Sequence, residues 1–362
     1  MTLESENMAE NHPNMEIVWI DNSPKPDLSI LVGDIGGTHT SMGVVGKTGR
    51  TYKLVVKFLF KTRELGSIFD ALKPVQKTLV TRPELGPVKF CCLSVAGPVQ
   101  ENRCVMTNVD WEIKGIEVET FLGARTLIIN DFTALSYALP LLNPGDSKSL
   151  LQLPPPEGPL PIPHGFVRAV LGAGTGLGVG FLVEDHGKYI ALPSEGGHSE
   201  WAGLKGEARE LYDYIQQTEG VLPEAEHVIS GPGIGRIYRF LQKKYSTQEA
   251  PSIDPKELPS WVASHAETDP LCRKAMDLFV QAYARFAYNL ALTFLPTSGL
   301  YLAGGIVGKN IDAFQKDHLF YRTFHETSRP FHRTLLERIP LYIIRDYSVS
   351  LLGAAHAAYS LL

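Results

Sequence analysis

Leu28–Val45 runs from an apolar stretch through Gly33-Asp34-Ile35-Gly36-Gly37-Thr38 into a second apolar stretch, and Phe166–Glu184 repeats that plan around Gly172-Ala173-Gly174-Thr175-Gly176. Short apolar runs punctuated by glycine predict strands joined by tight turns. Repetition of the strand–glycine turn–strand unit hints at duplicated half-domains. A third turn, Gly304-Gly305, follows the apolar run Leu300–Ala303. Glycine turns after strands bare backbone N–H groups, and such nests hold phosphates.

A second kind of residue is interleaved with these turns. Thr126–Asn130 reads as a strand, which places Asp131 just beyond its carboxyl end, where open α/β sheets bind ligands. Glu195-Gly196-Gly197-His198 follows the second glycine turn. Asn, Asp, Glu and His together suit a polyhydroxylated substrate, because each hydroxyl both donates and accepts. Phosphate cradles beside a hydroxyl-reading cluster point to phosphoryl transfer onto a sugar.

At 362 residues the chain predicts two domains. A net charge of −5 opposes a nucleic-acid partner, which would need a basic surface. Cys91, Cys92, Cys104 and Cys272 have no zinc or C-x-x-C spacing and read as buried thiols in a reducing compartment. The polar residues 1–27 carry no signal-peptide core and are expected to form a flexible arm. No run approaches the roughly 18 apolar residues of a membrane span. A soluble cytoplasmic protein is therefore expected. Ser360-Leu361-Leu362 loosely echoes a peroxisomal address, so a peroxisome-like organelle is the alternative.

Strands are also expected at Tyr52–Phe60 and Val88–Val95, and helices at Ser67–Leu79 and Phe132–Leu141. Asp269 and Pro270 resemble an N-cap and first helical residue, with apolar positions then recurring from Ala275 to Phe294. Val349–Leu362 reads as a closing helix. Pro154–Pro163 holds six prolines in ten residues and must be a loop.

Two motifs fail on inspection. Gly43–Thr48 ends like a P-loop, but Ser41 occupies the required first glycine position and a strand follows. Gly172–Leu177 fits a loose dinucleotide pattern, yet Gly178–Leu182 reads as strand where a Rossmann unit needs helix. His198 has no second histidine at metal-binding spacing.

Eight segments in series resemble the hexokinase-type glucokinases of the bacterial group: Gly33–Thr38, Ala96-Gly97-Pro98, Thr107–Trp111, Asn130-Asp131-Phe132, Gly172–Gly178, Glu195–His198, Glu226 with Ser230–Gly233, and Leu302–Gly305. The resemblance extends from about residue 28 to the end of the chain. It implies a two-domain α/β fold of the actin-like, ribonuclease H-like type. The small domain would be 28–138 with helix 349–362 packing back on it, the large domain 139–348, and glucose would lie in a cleft between them.

The implied reaction is transfer of a phosphoryl group from ATP to the 6-hydroxyl of glucose. Asp131 would be the general base, with Asn108, Asn130, Glu195, His198 and Glu226 holding the other hydroxyls. Gly33, Asp34, Ile35, Gly36, Gly37 and Thr38, together with Gly174, Thr175 and Gly176, would meet the phosphates, and Gly304 and Gly305 the adenosine. Gly174 is expected to need a glycine-specific backbone. Asp34 would repel phosphate unless Mg2+ lies between them, so it is assigned to the metal's water shell. A homodimer follows from the likeness alone. Residues 199–230 contain no cysteine, which disfavours the zinc-bearing repressor/kinase group. The alternatives are a kinase for another hexose or amino sugar, and a non-catalytic sugar sensor.

Overall fold

The computed structural model describes residues 9–12, 15–21, 26–106, 108–202, 206–245, 252–346 and 348–362. They divide into two compact units. The first comprises Met1–Leu142, Gly187–Ala191 and Tyr347–Leu362, and the second Asn143–His186 and Leu192–Asp346.

The first unit is built on a mixed sheet of β1 (Ala9–His12), β2 (Met15–Trp19), β3 (Leu28–Ile35), β4 (His39–Thr48), β5 (Thr51–Lys61), β6 (Val88–Val95) and β10 (Arg125–Asn130), in the order β1-β2-β5-β4-β3-β6-β10. A small sheet of β7 (Val99–Gln100), β8 (Arg103–Val105) and β9 (Glu112–Lys114) adjoins it in sequence. β3, β4 and β5 form an antiparallel meander, while β6 and β10 run parallel to β3. The two strands that lead into candidate residues, β3 inside the sheet and β10 at its edge, therefore end on the same side of it. Helix Ile68–Thr81 starts at a capping box, with Gly66 and Ser67 N–H groups donating to Asp70 at 2.9 and 3.2 Å. It buries Ile68, Ala71, Leu72 and Val75, one stripe at helical spacing. Helix Val349–Leu361 packs on β3, β6 and helix Asp131–Ala138. Its approach to the last is close: a Cβ on Gly353 would lie 1.9 Å from the Ala134 carbonyl oxygen.

The flexible arm expected over 1–27 is corrected here. Met15–Trp19 pairs antiparallel with β5 and buries Met15, Ile17 and Trp19 while Glu16 points to solvent. Arg82 covers the Trp19 ring at 4.5 Å. The period-two pattern was present in the sequence, but it is five residues long and flanked by polar segments. Residues 1–8, 13–14 and 22–25 of that arm lie outside the described residues. The structure also differs from the expected boundaries at Gly187–Ala191, which joins the first unit. There the Tyr189 carbonyl accepts from Tyr137 Oη at 3.2 Å, and its ring meets His356 edge-on at 5.3 Å.

In the second unit β11 (Leu150–Gln152), β16 (Leu341–Ile344), β15 (Leu300–Ala303), β12 (Val167–Ala173) and β13 (Leu177–Asp185) are neighbours in that order. β12 and β13 are an antiparallel pair whose connection is the second glycine turn. Helix Pro270–Phe294 is capped as expected, Asp269 Oδ1 accepting from the N–H groups of Leu271 and Cys272 at 2.7 and 3.1 Å. Tyr283 on this helix is fully buried and donates to the Leu171 carbonyl at 2.9 Å, fastening the helix to β12. The proline-rich segment 154–163 has no helix or strand, and borders a cavity of about 1120 Å3 with Tyr321 and Arg333. All four cysteines are free and buried. Among the described residues no helix is long and apolar enough to cross a membrane.

Candidate active site

β3 ends at Ile35, and the chain turns through Gly36–Thr38 before β4. The turn closes with a 2.9 Å bond from Gly36 N–H to the His39 carbonyl. Thr62, at the end of β5, fastens it from outside. Its hydroxyl donates to the Gly36 carbonyl at 2.7 Å, and its N–H to the Thr38 carbonyl at 2.9 Å. Gly37 lies against Asn108, where a Cβ would come within 2.4 Å of the Asn108 Cβ. A turn expected to meet phosphates and a residue expected to meet the sugar are thus neighbours. Gly33 and Ile35 play a different part, because both are buried in the ladder. A Cβ on Gly33 would meet Leu93 at 2.7 Å, so packing excludes a side chain there. Thr107 lies outside the described residues.

Asp34 and Asp131 are brought together from the ends of β3 and β10. Ser350, in the first turn of helix Val349–Leu361, donates to Asp34 Oδ2 at 2.8 Å. Burial pushes the Asp34 carboxyl upward, against the pull of this bond and of Lys57. Asn130 caps helix Asp131–Ala138, its Oδ1 accepting from Phe132 N–H at 2.9 Å, and Asp131 Oδ1 accepts from the same N–H at 2.9 Å. Asn130 Nδ2 donates back to the Gly97 carbonyl at 3.3 Å. With Asn130 as the cap, Asp131 is the first helical residue. Burial first, and the negative charge of Asp34 second, push Asp131 to about 6. A carboxylate poised near neutral pH suits a general base.

The second unit collects three glycine segments. Gly174 and Gly176 close their turn with a 2.8 Å N–H to carbonyl bond, and Gly231 N–H donates to the Gly174 carbonyl at 2.8 Å. Gly304 adopts φ 93°, and a Cβ there would lie 2.2 Å from the Ala173 carbonyl oxygen, so only glycine fits. The glycine-specific backbone expected at Gly174 is corrected: it lies outside the left-handed region, and a Cβ would meet nothing within 4 Å. Thr175 and Gly305 are exposed.

Glu226 is seated on this turn, accepting from Leu177 N–H at 2.9 Å beside Gly176. One of its carboxylate oxygens is therefore committed to the backbone. Glu195 and His198 bracket a short 3-10 turn and are exposed, with His198 N–H donating to the Glu195 carbonyl at 3.0 Å. His198 Nδ1 lies 2.8 Å from Glu224 Oε2, and this bond is the main cause that raises the imidazole pKa. Glu226 and Glu195 add to the rise.

Thr62, Ser350 and Glu224 carry no signal beyond their residue type, and each reaches its partner across the fold.

A sequence profile of the family described as Glucokinase matches residues 31–361. A glucokinase of Pectobacterium atrosepticum is 34% identical over 90% of this chain and 95% of its own length, and one of Nostoc punctiforme is 32% identical over 91% and 98%. Among solved structures, a glucokinase from an Antarctic psychrotroph superposes with a TM-score of 0.78 at 26% identity, covering 91% of this chain and 98% of that one. A Balamuthia mandrillaris glucokinase in complex with glucose gives 0.71 at 24% identity, covering 92% and 94%. A Streptomyces griseus ROK-family glucokinase, in complex with glucose and AMPPNP, gives 0.59 at 18% identity, covering 91% of this chain and 99% of that one, a likeness of fold alone.

Proposed function

Because the chain belongs to the glucokinase family, we propose that the two groups of residues just described divide the family's reaction between a base-bearing half and a hydroxyl-reading half. The reaction is transfer of a phosphoryl group from ATP to glucose, giving glucose 6-phosphate. Asp131 takes the proton from the 6-hydroxyl as that oxygen bonds to the γ-phosphorus and ADP leaves. Asn108, Asn130, Glu195, His198 and the uncommitted oxygen of Glu226 are assigned to the remaining hydroxyls. Phosphoryl transfer asks mainly for positioning and charge stabilisation, a task assigned to the N–H groups of Gly37, Thr38, Thr175 and Gly176, while those of Gly36 and Gly174 close their own turns. Gly33 and Ile35 support the first turn from within the sheet, and Gly304-Gly305 receive the adenosine.

The observation that carries this reading is Asp131 at the end of β10, beside Asp34 and pushed to about 6. Two neighbouring carboxylates, one of them raised by the other's charge, fit a divalent cation. Mg2+ takes one or two carboxylates and completes its shell with phosphates and water. Asp34, through water, is assigned to Mg2+, which when bound would neutralise charge on the phosphates. A cytosolic homodimer is supported by the family likeness, and cytosol by four unpaired buried thiols.

Purified protein offered glucose, mannose, fructose and glucosamine with ATP, and glucose with polyphosphate, tests the substrate assignment. Fastest ADP release with glucose is expected. Preference for glucosamine or another hexose would transfer the assignment to that sugar, and sugar binding without ADP release would favour a sensor.

A further inference from the structure

A hydrogen bond that holds one ring nitrogen of a histidine fixes the tautomer and orientation in which the other meets a hydroxyl. On His198 the held nitrogen is Nδ1, 2.8 Å from Glu224 Oε2. An ionised carboxylate only accepts, so Nδ1 carries the hydrogen and Nε2 is the nitrogen offered to a ligand. Glu224 is itself fixed on both sides. It precedes the short helix Ala225–Val228 as its cap, its carboxylate also receiving the His227 N–H, while its own N–H donates to His227 Nδ1 at 2.9 Å. Ala225 N–H donates to the Ser199 carbonyl at 2.8 Å, and Glu200 bridges Glu224. The strand of chain after His198 and the short helix bearing Glu224 are therefore locked together by backbone bonds.

We propose that Glu224 is a positioning residue for sugar recognition, fixing the tautomer and orientation of His198 so that Nε2 meets a sugar hydroxyl. The inference rests on the assignment of His198 to the sugar, made above. It adds a residue that touches no substrate atom and lies outside the eight segments that carry the family likeness.

Charge follows from the same contact. Glu224, Glu226 and Glu195 all act on the ring, so His198 keeps its proton to a higher pH than an ordinary histidine. Above that point neutral Nε2 accepts from a hydroxyl; below it, Nε2–H donates to one. A hydroxyl can answer either way, so the pH at which sugar affinity changes mode reports the Glu224–His198 pair.

The competing account is that Glu224 only caps its helix. Glu224→Ser separates the two, because serine is a good N-cap but lacks a carboxylate to meet the ring. Glu224→Gln keeps the length and loses the charge. In the full-length enzyme, the Ser variant is expected to raise KM for glucose about 5–20-fold, the size of a lost charge-assisted hydrogen bond. The Gln variant should raise it less. KM for ATP and kcat should stay within about twofold, since the contact serves binding and not the transition state. The His198 ring titration followed by NMR should move down in both variants, and His198→Ala added to Glu224→Ser should cost little more than either alone. An unchanged glucose KM in the Ser variant, with only a lower melting temperature, would overturn the inference in favour of a cap. If His198→Ala raises KM while both Glu224 variants leave it unchanged, the inference fails and the sugar role of His198 stands. If His198→Ala itself leaves KM unchanged, both fail, and the NMR titration still reports whether Glu224 governs the ring.

Discussion

Asp131 in the first unit and His198 in the second are both displaced upward from their ordinary titration ranges, for unlike reasons. Asp131 is half-buried, so loss of water is the larger cause and the Asp34 charge the second. His198 is exposed, and a single hydrogen-bonded partner, Glu224, is the main cause. Burial tunes a group through the whole surrounding core, at a cost in stability. A partner tunes through one contact, which salt weakens and one substitution removes. Asp131, proposed to transfer the proton, has the first kind of control, and His198, proposed to read the substrate, the second.

The largest expected effect tests the buried side. Asp131→Asn keeps the shape but cannot accept a proton, so turnover should fall about 10²–10⁴-fold with glucose affinity changed much less. Steady-state kinetics with a glucose titration by calorimetry checks this, and a variant retaining more than a tenth of turnover removes Asp131 as base. On the exposed side, Glu195→Ala should raise KM for glucose roughly 10–100-fold while KM for ATP barely moves, because a hydroxyl loses its partner. Equal losses for both substrates would take Glu195 out of the sugar site. Gly174→Val should block turnover yet leave the fold and glucose binding intact, since space around Gly174 is open. Gly304→Ala should instead cost about 1–3 kcal/mol of stability, seen as a lower melting temperature.

Two smaller effects sharpen the contrast. Turnover should fall as pH drops below about 6, where Asp131 takes up its proton. A flat turnover profile between pH 5 and 8 would contradict that. The fold favours protonated Asp131, so its contribution to stability is present at low pH and lost as pH rises through about 6. Asp131→Asn removes a charge that is unfavourable at pH 8. The inactive variant should therefore be more stable there by about 1–2 kcal/mol, with the gain vanishing below pH 4. An equal or lower melting temperature at pH 8 would mean that burial is not what displaces Asp131.

Much of this was legible because it is local. Glycine between apolar runs marks a turn whatever surrounds it, and the strands around Gly36 and Gly174 formed where the pattern put them. The Asp269 cap and the long helix behind it are likewise written in adjacent residues. What could not be read depends on distant approach. Gly33 and Gly37 look alike in sequence, yet one is excluded from bearing a side chain by Leu93 and the other by Asn108. Thr62 and Ser350 are ordinary hydroxyl residues until the sheet brings one to Gly36 and the terminal helix brings the other to Asp34. Glu226 was expected on the sugar, and its bond to Leu177 N–H ties it to the glycine turn as well.

Ser350 and Gly353 also set a timetable for synthesis. Helix Val349–Leu361 touches the helix that begins at Asp131 and holds Asp34, but it is translated more than 200 residues after both. At about 5–20 residues per second, a ribosome-bound chain spends on the order of 10–50 s with its acids and phosphate turns made and their supporting helix missing. Through that interval the nascent protein lacks the contact that orients Asp34. Emergence of one alanine-rich segment is what completes the first unit and supplies the Ser350 contact to Asp34.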